Sequence, residues 1–230
     1  MYAIITSMAF EGILTINKPA NITSYDVIRE IKKIIGKQKI GHAGTLDPFA
    51  TGVLIVAIGK KYTKQLSSYQ NMTKTYRFCI QLGIETTTLD PEGNIVAETP
   101  LLEPLTDETI NTVLASFLGK TQQIPPIFSA KKINGQRAYK LARQGKGIEP
   151  KETTITIHDI SLLAYHPKKN EIECRVICEK GTYIRSLSRD IAKALKTVGF
   201  TKTLIREAVG EHTLDKAISV ESLQTILTNV

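Results

Sequence analysis

The segment Gly41-His42-Ala43-Gly44-Thr45-Leu46-Asp47-Pro48-Phe49-Ala50-Thr51-Gly52 holds the residues best placed to do chemistry. Its glycines let the backbone approach a ligand closely, and Pro48 keeps Asp47 out of the helical region, so a carboxylate is presented from a constrained loop. Such a group can attack an electrophilic carbon or stabilise a developing cation. An aspartate before a proline is also a common helix start, with Asp47 as N-cap and Pro48 at the first helical position. Local spacing alone favours that cap.

Other site classes lack their residues. Gly36 and Gly41 are spaced like the glycines of a phosphate-binding loop, but His42 and Ala43 follow where lysine and a hydroxyl residue are required. No Gly-x-Gly-x-x-Gly follows a strand pattern and no Gly-x-Ser-x-Gly elbow occurs. His42, His158, His166 and His212 show no ligand spacing with one another or with Cys79, Cys174 and Cys178, so no metal is expected. Cys174 and Cys178 share one face of a strand about 13 Å apart, too far for a disulfide, and the three cysteines read as reduced core thiols.

The 230 residues can bury a sizeable core, and the formal net charge of +8 favours an anionic partner. Lys120, Lys131, Lys132, Arg137, Lys140, Arg143 and Lys146 lie between Glu108 and Glu149, a window with no acidic residue. The window reads either as a solvated loop and helix face or as a phosphate-binding arm. The longest apolar run, Val53 to Ile58, is far too short to span a bilayer, and no basic leader opens the chain. A cytoplasmic protein without membrane association is expected. Residues 1 to 7 precede the patterned sequence and read as a frayed extension or a product of start-codon choice.

The elements that would position these residues follow from periodicity. Gly12 to Ile16 reads as a strand stopped at Lys18-Pro19, and Thr23-Ser24-Tyr25-Asp26 is a capping box for a helix with Val27, Ile28, Ile31, Ile34 and Ile35 inward, ending at Gly36. A polar loop from Gly36 to Thr51 leads into a buried strand, Val53 to Ile58. After a short helix around Tyr62, Leu66 and Tyr69, Tyr76, Phe78, Ile80 and Leu82 form the apolar face of a strand. A helix carrying Ile110, Val113, Leu114, Phe117 and Leu118 ends at Gly119, and Ile124-Pro125-Pro126 opens the basic segment. Strands Thr153 to Ile160 and Ile172 to Cys178 precede a helix from near Thr182 with Ile184, Leu187, Ile191 and Leu195 inward. Leu204 to Val209 is a last strand and Val220 to Leu227 a last helix. The pattern predicts an α+β fold with a mixed, largely antiparallel central sheet flanked by helices. It also predicts a single catalytic domain over residues 1–230 with a basic insertion at about 120–150.

Arg185 falls in the first turn of its helix, where a positive charge opposes the macrodipole and has no local benefit. It needs a partner elsewhere, or it snorkels to the surface. Tyr76, inward on its strand, reads locally as a core tyrosine.

The Asp47 segment resembles the active-site motif of the TruB-type tRNA pseudouridine synthases, in which the aspartate of Gly-Thr-Leu-Asp-Pro is the nucleophile. Gly12 to Pro19, Lys74-Thr75-Tyr76-Arg77, Ile124-Pro125-Pro126 with Ser129-Ala130, Ala142-Arg143-Gln144-Gly145 and Lys180 to Leu187 resemble further blocks of that family in the same order. The resemblance implies the pseudouridine synthase fold and the isomerisation of uridine 55 in the T-loop of tRNA, without cofactor or metal. That reaction breaks the N1–C1′ bond and rejoins the sugar at C5, passing a centre of oxocarbenium character that suits a carboxylate.

By the same resemblance Asp47 is the nucleophile, Arg185 pairs with it, and Tyr76 stacks on the base and assists proton transfer at C5. His42 helps to extrude the uridine, and Lys18, Tyr183 and Leu204 line the pocket. The basic window becomes an RNA-clamping insertion in which Lys131, Lys132, Arg137, Lys140 and Arg143 meet the backbone of the tRNA T-arm. A monomer is expected. Phe128 stands where the family usually has Tyr, and Glu207 where a neutral or basic residue is commoner. The chain stops at Val230, leaving no room for the C-terminal PUA module of many family members, so recognition is expected to rest on the T-arm alone.

Overall fold

The computed structural model describes residues 10–101, 103–127, 132–133, 136–137 and 150–228. In chain order the strands are β1 Gly12–Lys18, β2 Ile40–Ala43, β3 Thr51–Ile58, β4 Lys74–Leu82, β5 Ile84–Thr86, β6 Ile95–Glu98 and β7 Gly119–Gln123. They continue as β8 Lys132–Ile133, β9 Gln136–Arg137, β10 Thr153–His166, β11 Glu171–Cys178, β12 Gly199–Val209 and β13 His212–Thr213. The helices are α1 Ser24–Ile35, α2 Lys60–Thr63, α3 Leu66–Asn71, α4 Asp107–Ala115, α5 Ile184–Ala194 and α6 Val220–Thr228. The chain divides into one unit of residues up to Lys74 with those from Ile205 onward, and a second unit, Thr75–Leu204.

In the first unit the apolar run Val53 to Ile58 is fully buried, as a strand covered on both faces requires. Along one edge β3 is antiparallel to β1, from Gly12 opposite Ile58 to Lys18 opposite Gly52. Its other edge takes β2, antiparallel with His42 opposite Val56, and the end of β12, parallel with Arg206 opposite Gly52. Gly52 has φ +102°, and a Cβ there would lie 2.3 Å from the Arg206 carbonyl oxygen, so the close approach requires glycine.

α1 starts as its sequence predicts. The Thr23 hydroxyl accepts the Asp26 amide at 3.1 Å, and the Thr23 amide donates to the Asp26 carboxylate at 2.8 Å. Val27, Ile28 and Ile31 then pack with Ile16, Leu54, Val56, Ile58 and Leu223. Each side chain of this kind contributes about 1.5 to 3 kcal/mol when fully buried.

In the second unit the strand order is β12 (through Leu204), β4, β11, β10, β7. β10 is antiparallel to β11, from Ile157 opposite Cys178 to His166 opposite Glu171, and to β7, with Thr153 opposite Gln123. α4 lies on β10 and buries Ile110 and Leu114. α5 buries Ile184, Leu187 and Ile191, the face its periodicity predicts. The pairing is mixed and largely antiparallel, and the class is α+β.

Several elements differ from the reading of the sequence. The stretch from Gly36 to Thr51 is not all loop, because β2 lies within it. Lys120, read as the start of the basic insertion, belongs to β7, so the chain leaves this strand after Gln123 and re-enters the pairing at Thr153. The short hairpin of β5 and β6 was not foreseen, and β10 and β12 are longer than their apolar cores. Cys79, Cys174 and Cys178 are free and buried. Desolvation pushes the Cys79 thiol up to about 11 and the Cys174 thiol up to about 12, which keeps both protonated and poorly nucleophilic near neutral pH.

Candidate active site

Asp47 caps no helix. Between Ala43 and Thr51 the chain forms bends, and the Ala50 amide donates to the Asp47 carbonyl at 3.2 Å, closing a turn that runs straight into β3. The local expectation of an N-cap is overturned because the flanking backbone groups are committed to distant partners. Leu46 donates its amide to Ser24 Oγ at 2.9 Å, and Ser24 Oγ donates to the Leu46 carbonyl at 3.2 Å. The Pro48 carbonyl accepts the Asn21 amide at 2.8 Å and Lys18 Nζ at 3.1 Å. Asp47, half-buried, therefore sits between two anchored neighbours, the preorganisation expected of a nucleophile and superfluous for a cap.

Two buried cations hold this loop. Lys18 is 0% exposed, and its Nζ also donates to the carbonyls of Pro19 and Ile22, each at 2.7 Å. Its role is thus to tie the end of β1 to the residue after Asp47. Replacing it by methionine strips the ammonium donor from these carbonyls and is expected to lower stability by about 2 to 3 kcal/mol, read from denaturant melts. An unchanged midpoint would contradict the assignment. Arg206, 1% exposed, donates from Nη2 to the Gly44 carbonyl and from Nε to the Val53 carbonyl, both at 2.7 Å. It spans the loop from before Asp47 to after it. Gly44 has φ +70°, and a Cβ there would press to 3.3 Å from Arg206 Nη1. Reading the sequence missed Arg206; the visible signal was an arginine two residues after Leu204, on the inward-facing side of the same strand. His42 lies in the same unit, on β2.

The second unit carries the other expected residues. Tyr76 is buried on β4, Tyr183 is the N-cap of α5, Arg185 stands in its first turn, and Leu204 is buried on β12. Arg185 is 4% exposed, so it does not snorkel. Its Nη1 donates to the Thr88 carbonyl at 2.7 Å and to Asp90 Oδ2 at 3.1 Å. Asp90, 3% exposed, is itself held: Oδ1 accepts from the Thr88 hydroxyl and from the Glu92 amide at 3.0 Å, while its own amide donates to Thr86 Oγ1 at 3.1 Å. The result is a buried, preset ion pair that orients the guanidinium. Asp90 was not foreseen, yet a signal exists. The tetrapeptide Thr-Leu-Asp-Pro occurs twice, at residues 45–48 and 88–91.

Lys131, Lys140 and Arg143 lie outside the described residues. Lys132 and Arg137 stand opposite each other in the pair β8 and β9. A second basic region escaped the sequence reading. Between residues 31 and 84 the only acidic residue is Asp47. Lys37, Lys39, Lys60, Lys61 and Lys64 are exposed there, and the Gly59 amide donates to the Lys39 carbonyl at 2.7 Å, joining the two lysine segments. Among the described residues no group of three His, Cys, Asp or Glu could hold a metal ion, and no helix is long and apolar enough to cross a membrane.

Comparison with known proteins adds independent findings. A family model described as TruB family pseudouridylate synthase (N terminal domain) matches residues 32–184. The tRNA pseudouridine synthase B of Phocaeicola vulgatus is 44% identical over 216 residues, covering 91% of this chain and 90% of that protein. That of Aquifex aeolicus is 43% identical over 211 residues, covering 92% of this chain and 72% of that protein. Among solved structures, a chain of a Cbf5-Nop10-Gar1 complex matches with TM-score 0.71 and 28% identity over 97% of this chain and 56% of its own length. A chain of an H/ACA RNP bound to a substrate RNA containing 2′-deoxyuridine matches with TM-score 0.69 and 25% identity, over 97% and 55%. The chain spans about half the length of these two solved chains.

Proposed function

We propose that this chain, which belongs to the TruB family of pseudouridylate synthases, isomerises uridine 55 in the T-loop of tRNA to pseudouridine. The activity is that of an isomerase acting on tRNA. The reaction breaks N1–C1′ and forms C5–C1′, and the proton lost from C5 is matched by one gained at N1, so it is redox-neutral and calls for no net oxidant. The observation that carries the reading is the match to tRNA pseudouridine synthases B over nine-tenths of the chain, at 44% identity. The pinned backbone on both sides of Asp47 supports it independently.

In this reading Asp47 is the nucleophile, Arg185 keeps it ionised and oriented, and Tyr76 stacks on the base and assists proton transfer at C5. His42 helps to flip the target uridine, and Tyr183 and Leu204 line the pocket. Lys18 serves that pocket through the loop it holds. The chain works as one catalytic domain whose insertion clamps the T-arm, as a monomer in the cytoplasm. The test is nucleotide-resolution mapping of pseudouridine in an unmodified tRNA transcript and in its isolated T-arm hairpin. Modification of the T-loop uridine in both is expected. Product only at another position would redirect the reading to a different RNA target, and no product would leave an RNA-binding protein.

Backbone recognition has its own prediction. Changing Lys131, Lys132 and Arg137 together to glutamine is expected to weaken tRNA binding and to lower the slope of log K against log salt by about 2 to 3. The same result is expected for Lys39, Lys60 and Lys61. An unchanged slope would make either region a merely solvated face.

A further inference from the structure

Gln123 ends β7 and is 2% exposed. Its Oε1 accepts the Tyr183 amide at 2.9 Å, and its Nε2 donates to the Tyr183 carbonyl at 3.1 Å. One side-chain amide thus satisfies both backbone groups of a single distant residue, as a neighbouring strand would. Tyr183 is the N-cap of α5, and no side-chain cap bond forms there, so the start of this helix is set from outside it. The next residue repeats the tie. The Ile124 carbonyl accepts Ser186 Oγ at 2.8 Å and Arg189 Nη2 at 3.2 Å. Arg185, with its bonds to Thr88 and Asp90, lies between residues anchored in this way.

We propose that Gln123 is a positioning residue for the isomerisation: its amide fixes the Tyr183 backbone and, two residues on, the direction in which Arg185 leaves the first turn of α5. The inference rests on reading Tyr183 and Arg185 as residues of a pseudouridine synthase site. A buried amide is retained here for its two opposed bonds. Leucine fills similar space but leaves the Tyr183 amide and carbonyl without these partners. The same residue stands where the chain departs toward the basic insertion, so the root of that insertion and the start of α5 share one anchor.

Gln123→Glu separates positioning from mere packing. As a carboxylate it accepts the Tyr183 amide but turns a lone pair toward the Tyr183 carbonyl. Once protonated, one oxygen accepts and the O–H donates, and both bonds return. Burial favours the protonated form, so the change is expected within an accessible pH range. The experiment follows single-turnover pseudouridine formation in a tRNA transcript at saturating enzyme. The rate of Gln123→Glu relative to wild type should rise steadily as pH falls from about 9 to about 6. Gln123→Leu should remain on the order of tenfold to a hundredfold slow at every pH, with tRNA affinity close to wild type. A relative rate that does not vary with pH, or a Gln123→Leu variant as fast as wild type, overturns the proposal. If Gln123→Leu does not fold, the Gln123→Glu profile alone decides. A wild-type protein that makes no pseudouridine overturns the functional reading itself, which the wild-type control distinguishes from failure of the positioning role.

Discussion

Asp47→Asn is expected to reduce pseudouridine formation on the order of a thousandfold or more while tRNA binding stays within about threefold of wild type. Asparagine is nearly isosteric, so the turn closed by the Asp47 carbonyl and the anchors on Leu46 and Pro48 are kept. Only the charge and nucleophilicity are lost. Affinity for tRNA comes mainly from phosphate contacts, to which a loop carboxylate contributes nothing favourable. Single-turnover rates and filter binding on the same protein separate the two effects. A variant with wild-type turnover would remove Asp47 from the nucleophile role, and one that loses binding and turnover equally would make it a residue of the RNA-binding surface.

Asp90→Ala is the second large effect. It removes a carboxylate that pairs with Arg185 Nη1 at 3.1 Å, and both side chains are almost wholly buried. Breaking a buried ion pair from one side typically costs about 3 to 5 kcal/mol, because the remaining charge stays in a low-dielectric site. The expected result is a loss of stability in that range together with a large fall in turnover, since the guanidinium loses its fixed orientation. The double variant Asp90→Ala/Arg185→Met supplies the contrast. Stability should recover in part, because methionine removes the buried guanidinium that Asp90 had balanced, whereas activity should not recover at all. Denaturant melts and single-turnover rates on the three proteins check this. Additive stability losses would show that the two side chains are not coupled, and an active double variant would show that the pair serves the fold alone.

The parts of the fold that were legible in the sequence are those set by local chemistry. Thr23 and Asp26 specify the start of α1 within four residues, and Val53 to Ile58 could only be a buried strand. Long-range pairing hid the rest. β2 was invisible because Ile40-Gly41-His42-Ala43 has no periodicity of its own and is a strand only beside β3. β7, Gly119-Lys120-Thr121-Gln122-Gln123, is polar throughout, and its pairing with Thr153 to Ile157 defines it. β6 leaves Ile95 and Val96 exposed, so burial does not mark it either.

The site divides in the same way. Asp47 was singled out by its glycines and its proline, but the same dipeptide argued for a helix cap. Tertiary bonds from Ser24, Asn21 and Lys18 overrode that preference. The poor electrostatic position of Arg185 correctly signalled a partner elsewhere, yet nothing in the spacing named Asp90. Gln123 and Arg206 act through backbone groups far along the chain, and no local pattern announces such bonds.

The most direct test of the central claim is tritium release from a tRNA transcript labelled at C5 of its uridines. Forming the new bond from C1′ to C5 displaces the hydrogen there, so each completed isomerisation frees one label. The expected result is release equivalent to a single uridine per tRNA, abolished when uridine 55 is replaced by cytidine and absent with Asp47→Asn. Release that persists without uridine 55, or no release from the unaltered transcript, would contradict the account.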